Sequence, residues 1–334
     1  MTSVRVGIVG CGMAGRKHID AFQSLGSLAS VVGICDENIE LAHQIGKTSN
    51  IEVFENYADL FDFGIDLFVI ATPHATHHKL AIDGLNSNIS LLVEKPLASN
   101  LSQAKEIAAI CAEKKLKCAV GFVHRHRMEL QAAHRHITQK DCGEVVYLTD
   151  IFWLSGGERL PEWLWNDSES GLGVLGYSAI HRIDWQGWLA NSKVASVYAQ
   201  TNLDGIYKGS IHGVIASLTF ENGVVGSVVG YQPNVDVSKP FISTVVAGSQ
   251  GLINIKLGQS FEICTAVENY RKSIVQDDQF VKQARDVVNA IVEDREPCSS
   301  VNDGVHSAAV VEAIIQSAKT DSRIDVKDLS LINI

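Results

Sequence analysis

Val4, Val6, Ile8 and Val9 open the chain as a β-branched run, the pattern of a strand buried in a parallel sheet. Ile19, Phe22 and Leu25 then recur every third residue, which suits one buried face of a helix. Further strand-like runs follow at Ser30–Cys35, Glu52–Phe54, Asp66–Ala71, Ser90–Val93 and Lys117–Phe122. Helical stretches lie between them, at Asn38–Lys47, in a helix to which Leu80–Leu85 belongs, and where Ala104, Ile107, Ala108 and Cys111 form an apolar stripe behind an expected N-cap at Ser102. Strands alternating with helices predict an α/β unit with a doubly wound parallel sheet.

Past Phe122 the rhythm changes. One helical stretch, Met128–Gln139, leads into longer runs at Val145–Trp153, Val194–Thr201, Ile211–Phe220, Val224–Tyr231 and Ile242–Ala247. Turns such as Glu221-Asn222-Gly223 suit antiparallel hairpins. The pattern predicts an α+β second domain with a large, mainly antiparallel sheet, followed by helices near Phe280–Glu293 and Val305–Lys319. Val214, Ala216, Leu218 and Phe220 share one apolar face, and Gly213, Ile215, Ser217 and Thr219 a flatter, mixed one. That second face suits either a partner subunit or solvent. The expected boundary puts residues 1–122 in the first domain and 123–334 in the second.

Composition narrows the class. A chain of 334 residues has room for two cores at ~150 residues each. A net charge of −10 disfavours a nucleic-acid surface. Seven scattered cysteines with no C-x-x-C pair suggest reduced thiols rather than disulfides or zinc. The N-terminus enters a strand almost at once, which leaves no room for a signal peptide. No apolar run approaches the ~20 residues of a membrane span. A soluble cytoplasmic protein is expected.

Candidate chemistry begins directly after the first strand. Gly10-Cys11-Gly12-Met13-Ala14-Gly15 reads G-x-G-x-x-G, and Asp36 closes the next strand about 20 residues later, as the dinucleotide fingerprint requires. Gly10 permits the tight turn, Gly12 lets the backbone approach a pyrophosphate, and Gly15 lets the helix sit close to the sheet. The helix N-terminus offers N–H groups and a positive dipole end to phosphates. Asp36 would receive ribose hydroxyls. A 2′-phosphate beside Asp36 and Glu37, with no nearby Arg, sets like charges together at a cost of several kcal/mol. NAD is therefore expected over NADP.

Glu94-Lys95-Pro96 follows another buried strand, and strand C-terminal ends line the ligand crevice in a doubly wound fold. A partly desolvated lysine there can orient a substrate hydroxyl and relay its proton. The plainer reading makes both charges solvated loop residues. If the chain is helical from Tyr177 onward, Tyr177 and His181 share a face. Asp184, three residues further, would hold the imidazole in the tautomer of a general base. Here the plainer reading is a core histidine among Ile180, Ile183, Trp185 and Trp188. Twelve histidines include the groups His74, His77, His78, then His124, His126, and His134, His136, yet none has a compact zinc spacing. No metal site is expected.

These motifs together resemble the Gfo/Idh/MocA (glucose–fructose oxidoreductase/inositol dehydrogenase) family. The resemblance rests on the glycine turn, Ala71-Thr72-Pro73 with His77 beyond it, Glu94-Lys95-Pro96, and Gly121-Phe122 with Arg125 beyond. It continues through Trp165-Asn166-Asp167, His181-Arg182-Ile183-Asp184 and Glu296-Pro297, nearly the whole chain. It implies an N-terminal Rossmann domain, and a C-terminal domain with an open sheet that binds substrate and makes subunit contacts in a homodimer or homotetramer. It further implies NAD(P)-dependent oxidation or reduction of sugars, polyols or related compounds. By that resemblance Lys95 and His181 are catalytic. Thr72, Pro73, His74, His77, Glu94 and Lys95 itself join the glycine turn and Asp36 around the cofactor, and Arg125, Trp165 and Asp184 meet the substrate. Tyr177 stands where inositol dehydrogenase-like members usually carry an aspartate, so it either donates a hydrogen bond or proton itself or lines the pocket. His74 stands where the family often has Asn. Two other readings remain open: an NAD-dependent glycoside hydrolase of the same family, and a non-catalytic dinucleotide sensor.

Overall fold

The computed structural model describes residues 3–156, 172–202, 211–233, 235–236, 238–266, 269–274 and 278–331. It divides into two compact units, Met1–Val123 with Asp278–Val305, and His124–Asp277 with His306–Ile334.

In the first unit, strands β1 (Val4–Val9), β2 (Ala29–Cys35), β3 (Glu52–Phe54), β4 (Leu67–Ile70), β5 (Ser90–Val93) and β6 (Cys118–Val120) pair in the order β3-β2-β1-β4-β5-β6. Every pairing is parallel, giving the doubly wound order whose direction reverses between β1 and β4. Helices α1 (Met13–Gln23), α2 (Ile39–Ser49), α3 (Tyr57–Asp62), α4 (His74–Asn86) and α5 (Leu101–Lys114) connect the strands. Val6, Ile8, Phe22, Ile34, Leu67, Val69 and Leu92 are buried in one core. A sheet covered on both faces needs such continuous apolar strands.

One local expectation changes. The cap of α5 is Asn100, whose side chain accepts from the Gln103 N–H at 2.9 Å, rather than Ser102. Asn and Ser cap about equally well, so position relative to the apolar stripe did not choose between them. Helix α4 contains the expected helical run Leu80–Leu85 and begins at His74, immediately after Pro73. Proline suits this position because it needs no helical N–H partner.

The chain also returns to the first unit late. Helix Gln279–Val292 places Ala284, Val287 and Val288 in the same core as Ile19 and Phe22. Residues 278–305 therefore lie with the first unit, whereas the boundary expected from sequence keeps 123–334 together. Periodicity fixes which face of a helix is buried but says nothing about which sheet it covers.

Among the described residues the second unit holds α6 (Met128–Thr138) and a nine-stranded sheet. Its strands are β7 (Val145–Trp153), β8 (Val194–Thr201), β9 (Gly213–Phe220), β10 (Val225–Tyr231), β11 (Phe241–Gly248), β12 (Gly251–Lys256), β13 (Ser260–Thr265), β14 (Asn269–Ser273) and β15 (Ile324–Asp325). Their order is β14-β13-β12-β11-β7-β10-β9-β8-β15, antiparallel except where β7 meets β10. Val214, Ala216, Leu218 and Phe220 face inward with Leu148, Phe152 and Val228. Helix Ile180–Ala190 packs on β7 and β10. A wider π-helical turn, Leu175–Ala179, runs directly into it.

Candidate functional site

The glycines of the first turn differ in what surrounds them. Gly10 has φ +90°, and a Cβ there would lie 2.5 Å from the Ala71 carbonyl oxygen. A Cβ on Gly15 would lie 1.8 Å from the Gly10 oxygen. These two glycines pack α1 against the strand ends. Gly12 meets nothing within 4 Å; hydrogen alone leaves that space open. Gly12 is also the N-cap of α1, with no side-chain cap bond and no acid in the first turn, so nothing there competes for an anion. Met13 is exposed and Ala14 half-buried beside this opening.

Asp36 stands just past β2, where its carboxylate accepts the Cys11 N–H at 2.5 Å and the Asn38 N–H at 2.8 Å. Each oxygen keeps a lone pair for a further donor. Burial, then the Asp36 charge, pushes the Cys11 thiol up to about 12 and that of Cys35 to about 11. Both stay neutral beside the carboxylate. An open phosphate cradle and a fixed carboxylate fit a dinucleotide with free ribose hydroxyls.

On the same edge of this sheet, β5 runs into Glu94-Lys95-Pro96, with a cis Lys95–Pro96 peptide. Glu94 is buried rather than solvated, and Lys95 is half-buried. One Glu94 oxygen accepts from His18 Nε2 at 2.9 Å, and the other from the Lys95 N–H at 3.2 Å. Burial pushes the carboxyl up, but the His18 hydrogen bond and the His18 and Lys95 charges outweigh it and hold Glu94 below the usual carboxylate range. Gly121 makes room: a Cβ there would lie 2.8 Å from the carboxylate. The sequence reading missed His18. Its one signal was a polar residue next to Ile19 on the buried face of α1.

A second imidazole holds the same turn from α4. His77 Nδ1 lies 2.8 Å from the Pro96 oxygen and Nε2 2.9 Å from the Thr72 oxygen. Burial lowers the His77 pKa, although both carbonyls pull the other way. Thr72 and Thr76 hydroxyls share a bond of 2.6 Å, and Pro73 caps α4. His74 is buried, its ring centroid 5.7 Å from that of His77. The ends of β4 and β5 are thus tied together through His77.

The second unit carries its own cluster. Arg125 grips Asp184 in a two-pronged buried ion pair, Nε to Oδ2 at 2.9 Å and Nη2 to Oδ1 at 2.6 Å. His181 is buried, with the His124 ring edge-on at 4.4 Å. His124 also meets Trp185 at 5.5 Å, and its Nδ1 accepts from Arg127 Nε at 3.0 Å. Tyr177 is half-buried within the π-helical turn, so the step from Tyr177 to His181 is not that of a straight α-helix. Trp165, with Asn166 and Asp167, lies outside the described residues. Among the described residues no group of three or more His, Cys, Asp or Glu side chains is placed to hold a metal ion, and no helix is long and apolar enough to cross a membrane.

Sheet order, glycine turn and carboxylate define a Rossmann-type dinucleotide-binding protein with a second, sheet-rich unit. The chain belongs to the Gfo/Idh/MocA oxidoreductase family. Residues 4–122 match the family model described as an oxidoreductase family with an NAD-binding Rossmann fold, and residues 130–254 match that of the Gfo/Idh/MocA C-terminal domain. Glucose-6-phosphate 3-dehydrogenase of Bacillus subtilis is 28% identical over 203 residues, 59% of this chain and 57% of that protein. The chain thus spans little more than half the length of that relative. An inositol 2-dehydrogenase of Corynebacterium glutamicum is 27% identical over 262 residues, covering 76% of this chain and 74% of that one. The fold also matches a levoglucosan dehydrogenase solved with NADH and L-sorbose, at TM-score 0.89 and 21% identity over 98% of this chain and 100% of that chain.

Proposed function

We propose that this protein is an NAD-dependent dehydrogenase moving a hydride between a sugar or polyol hydroxyl and the nicotinamide. The observation that carries the reading is the fixing of Lys95. Its turn is held by His18 through Glu94 and by His77 through Pro96, on the strand edge that also bears Gly12 and Asp36. A lysine held from two sides suits a chemical role better than a solvated one. The names of the relatives, dehydrogenases of glucose 6-phosphate and inositol, support the substrate class.

When bound, NAD would accept the hydride from the carbinol carbon. The α1 N-terminus with Gly12, Met13, Ala14 and Gly15 would bind its pyrophosphate, and Asp36 the ribose hydroxyls. Thr72, Pro73, His74 and His77 would shape the neighbouring wall. Lys95 Nζ would polarise the substrate oxygen, and His181 would remove the hydroxyl proton. Tyr177 would contact the substrate near His181. Arg125 and Asp184, already locked together, would present a rigid polar wall, with Trp165 as a further substrate contact. Seven free thiols support a reducing, cytoplasmic setting. The outer face of the second sheet would pair with another copy of the chain as a homodimer or homotetramer.

The test is absorbance at the NADH band, with NAD and a panel of aldoses, sugar phosphates and polyols. Reduction of NAD by members of the panel supports the reading. Release of sugar from glycosides with no net NADH would replace it with a hydrolase. Tight NADH binding with neither activity would replace it with a sensor.

A further inference from the structure

The second unit buries a cation and an anion that none of the roles above uses. Asp150, on the inner face of β7, and Arg182, one residue past His181, are both almost fully enclosed. The Arg182 guanidinium lies 4.4 Å from the Phe152 ring centroid and 5.1 Å from that of Trp185, and its Nε is 3.7 Å from Asp150 Oδ1. The other Asp150 oxygen accepts from Trp185 Nε1 at 2.9 Å and Thr244 Oγ1 at 2.6 Å. Burial pushes Asp150 up to about 6 and Arg182 down to about 10, each partly offset by the other's charge. A pair this loose does little for stability, because desolvation costs several kcal/mol per ion and an apolar pair often fits as well.

What the pair does hold is a carbonyl. Arg182 Nη1 donates to the Ser178 oxygen at 2.6 Å. Ser178 lies inside the π-helical turn Leu175–Ala179, where the regular i→i−4 ladder is interrupted. The Ser178 hydroxyl is tied in turn to Gln232 at 2.6 Å, and Gln232 Nε2 to the Ser155 oxygen at 3.0 Å. The turn bearing Tyr177 and leading into His181 is thus fastened to the sheet by two polar links. One of them is a buried cation paired, among the described residues, with Asp150.

We propose that Arg182, anchored by Asp150, is a positioning residue that pins the wide turn and so fixes the directions of Tyr177 and His181. The proposal rests on the reading that those two side chains act on the substrate. A displacement of about 1 Å at a reacting group can cost on the order of 100-fold in rate.

The test compares wild type with Arg182→Met, Arg182→Lys and the double variant Asp150→Asn/Arg182→Met. The readouts are thermal unfolding, NADH affinity, kcat and KM, and amide hydrogen exchange over residues 175–183. Expected for Arg182→Met is unchanged NADH affinity, kcat lower by about 10- to 100-fold, and faster exchange in the turn. Lysine, which still donates, should recover part of kcat. The double variant, with no lone buried charge, should regain stability while kcat stays low. Recovery of kcat together with stability in the double variant would overturn the proposal, as would wild-type exchange and turnover in Arg182→Met. If wild type turns over no sugar or polyol, the proposed function fails on its own. Exchange then decides the pin alone: faster in Arg182→Met upholds it, unchanged overturns it.

Discussion

At the scale of single residues, the three glycines of the first turn separate packing from binding. Alanine at Gly15 would drive its methyl to 1.8 Å from a backbone oxygen, so α1 must shift, at a cost of about 1–3 kcal/mol or more. Alanine at Gly12 meets no protein atom and fills only the space left for a phosphate. Gly12→Ala should therefore lower Tm only by the small cost of an alanine N-cap and lose NADH affinity, while Gly15→Ala loses both, with the larger drop in Tm. Fluorescence titration beside a thermal melt checks this, and equal Tm losses in the two variants would contradict it. His18 offers a test by pH. Glu94 is held below its ordinary range, so its contribution is present above about pH 4.5 and lost as pH falls through the depressed value. In His18→Phe, burial without that partner should raise the carboxyl instead. The stability gap between wild type and variant should then be widest near neutrality and close on acidification, each unit of pKa separation being worth about 1.4 kcal/mol. Urea midpoints from pH 7 to pH 4 measure it, and a constant gap would contradict the assignment. The glycine turn and Asp36 were legible because their signature is local. The His18–Glu94 bond was not, because it joins residues 76 positions apart and no periodicity links them.

At the scale of elements, alternation carried most of what could be read. The inward set Val214, Ala216, Leu218 and Phe220 is buried, and Ile215 and Ser217 point out. Strands β12 to β14 escaped the reading; β14 is exposed throughout, so it lacks the half-buried alternation that marks a strand. The π-helical turn escaped because one extra residue in a turn leaves no trace in composition. The outer face of the sheet also exposes Tyr147, Ile151, Trp153, Ile215, Val225, Phe241 and Leu252, and apolar patches of this kind mark interaction surfaces. If a second copy covers them, Ile215→Glu combined with Trp153→Glu should give monomers with unchanged circular dichroism. Sedimentation of both proteins checks this, and a monomeric wild type would contradict it.

At the scale of the whole molecule, the change of rhythm near Phe122 lies beside the first crossing between the compact units, while the return at Asp278 left no mark in composition. Local pattern registers a change of architecture but not a helix lent back to an earlier core. In the proposed reaction Lys95 and His181 act on the substrate after the cofactor has bound. The most direct measurement follows NADH absorbance with the best substrate of the panel for wild type, Lys95→Ala and His181→Ala, with NADH affinity measured alongside. Both variants should still bind NADH and lose about 10²- to 10⁴-fold in kcat. Turnover near the wild-type rate in either variant would contradict the claim.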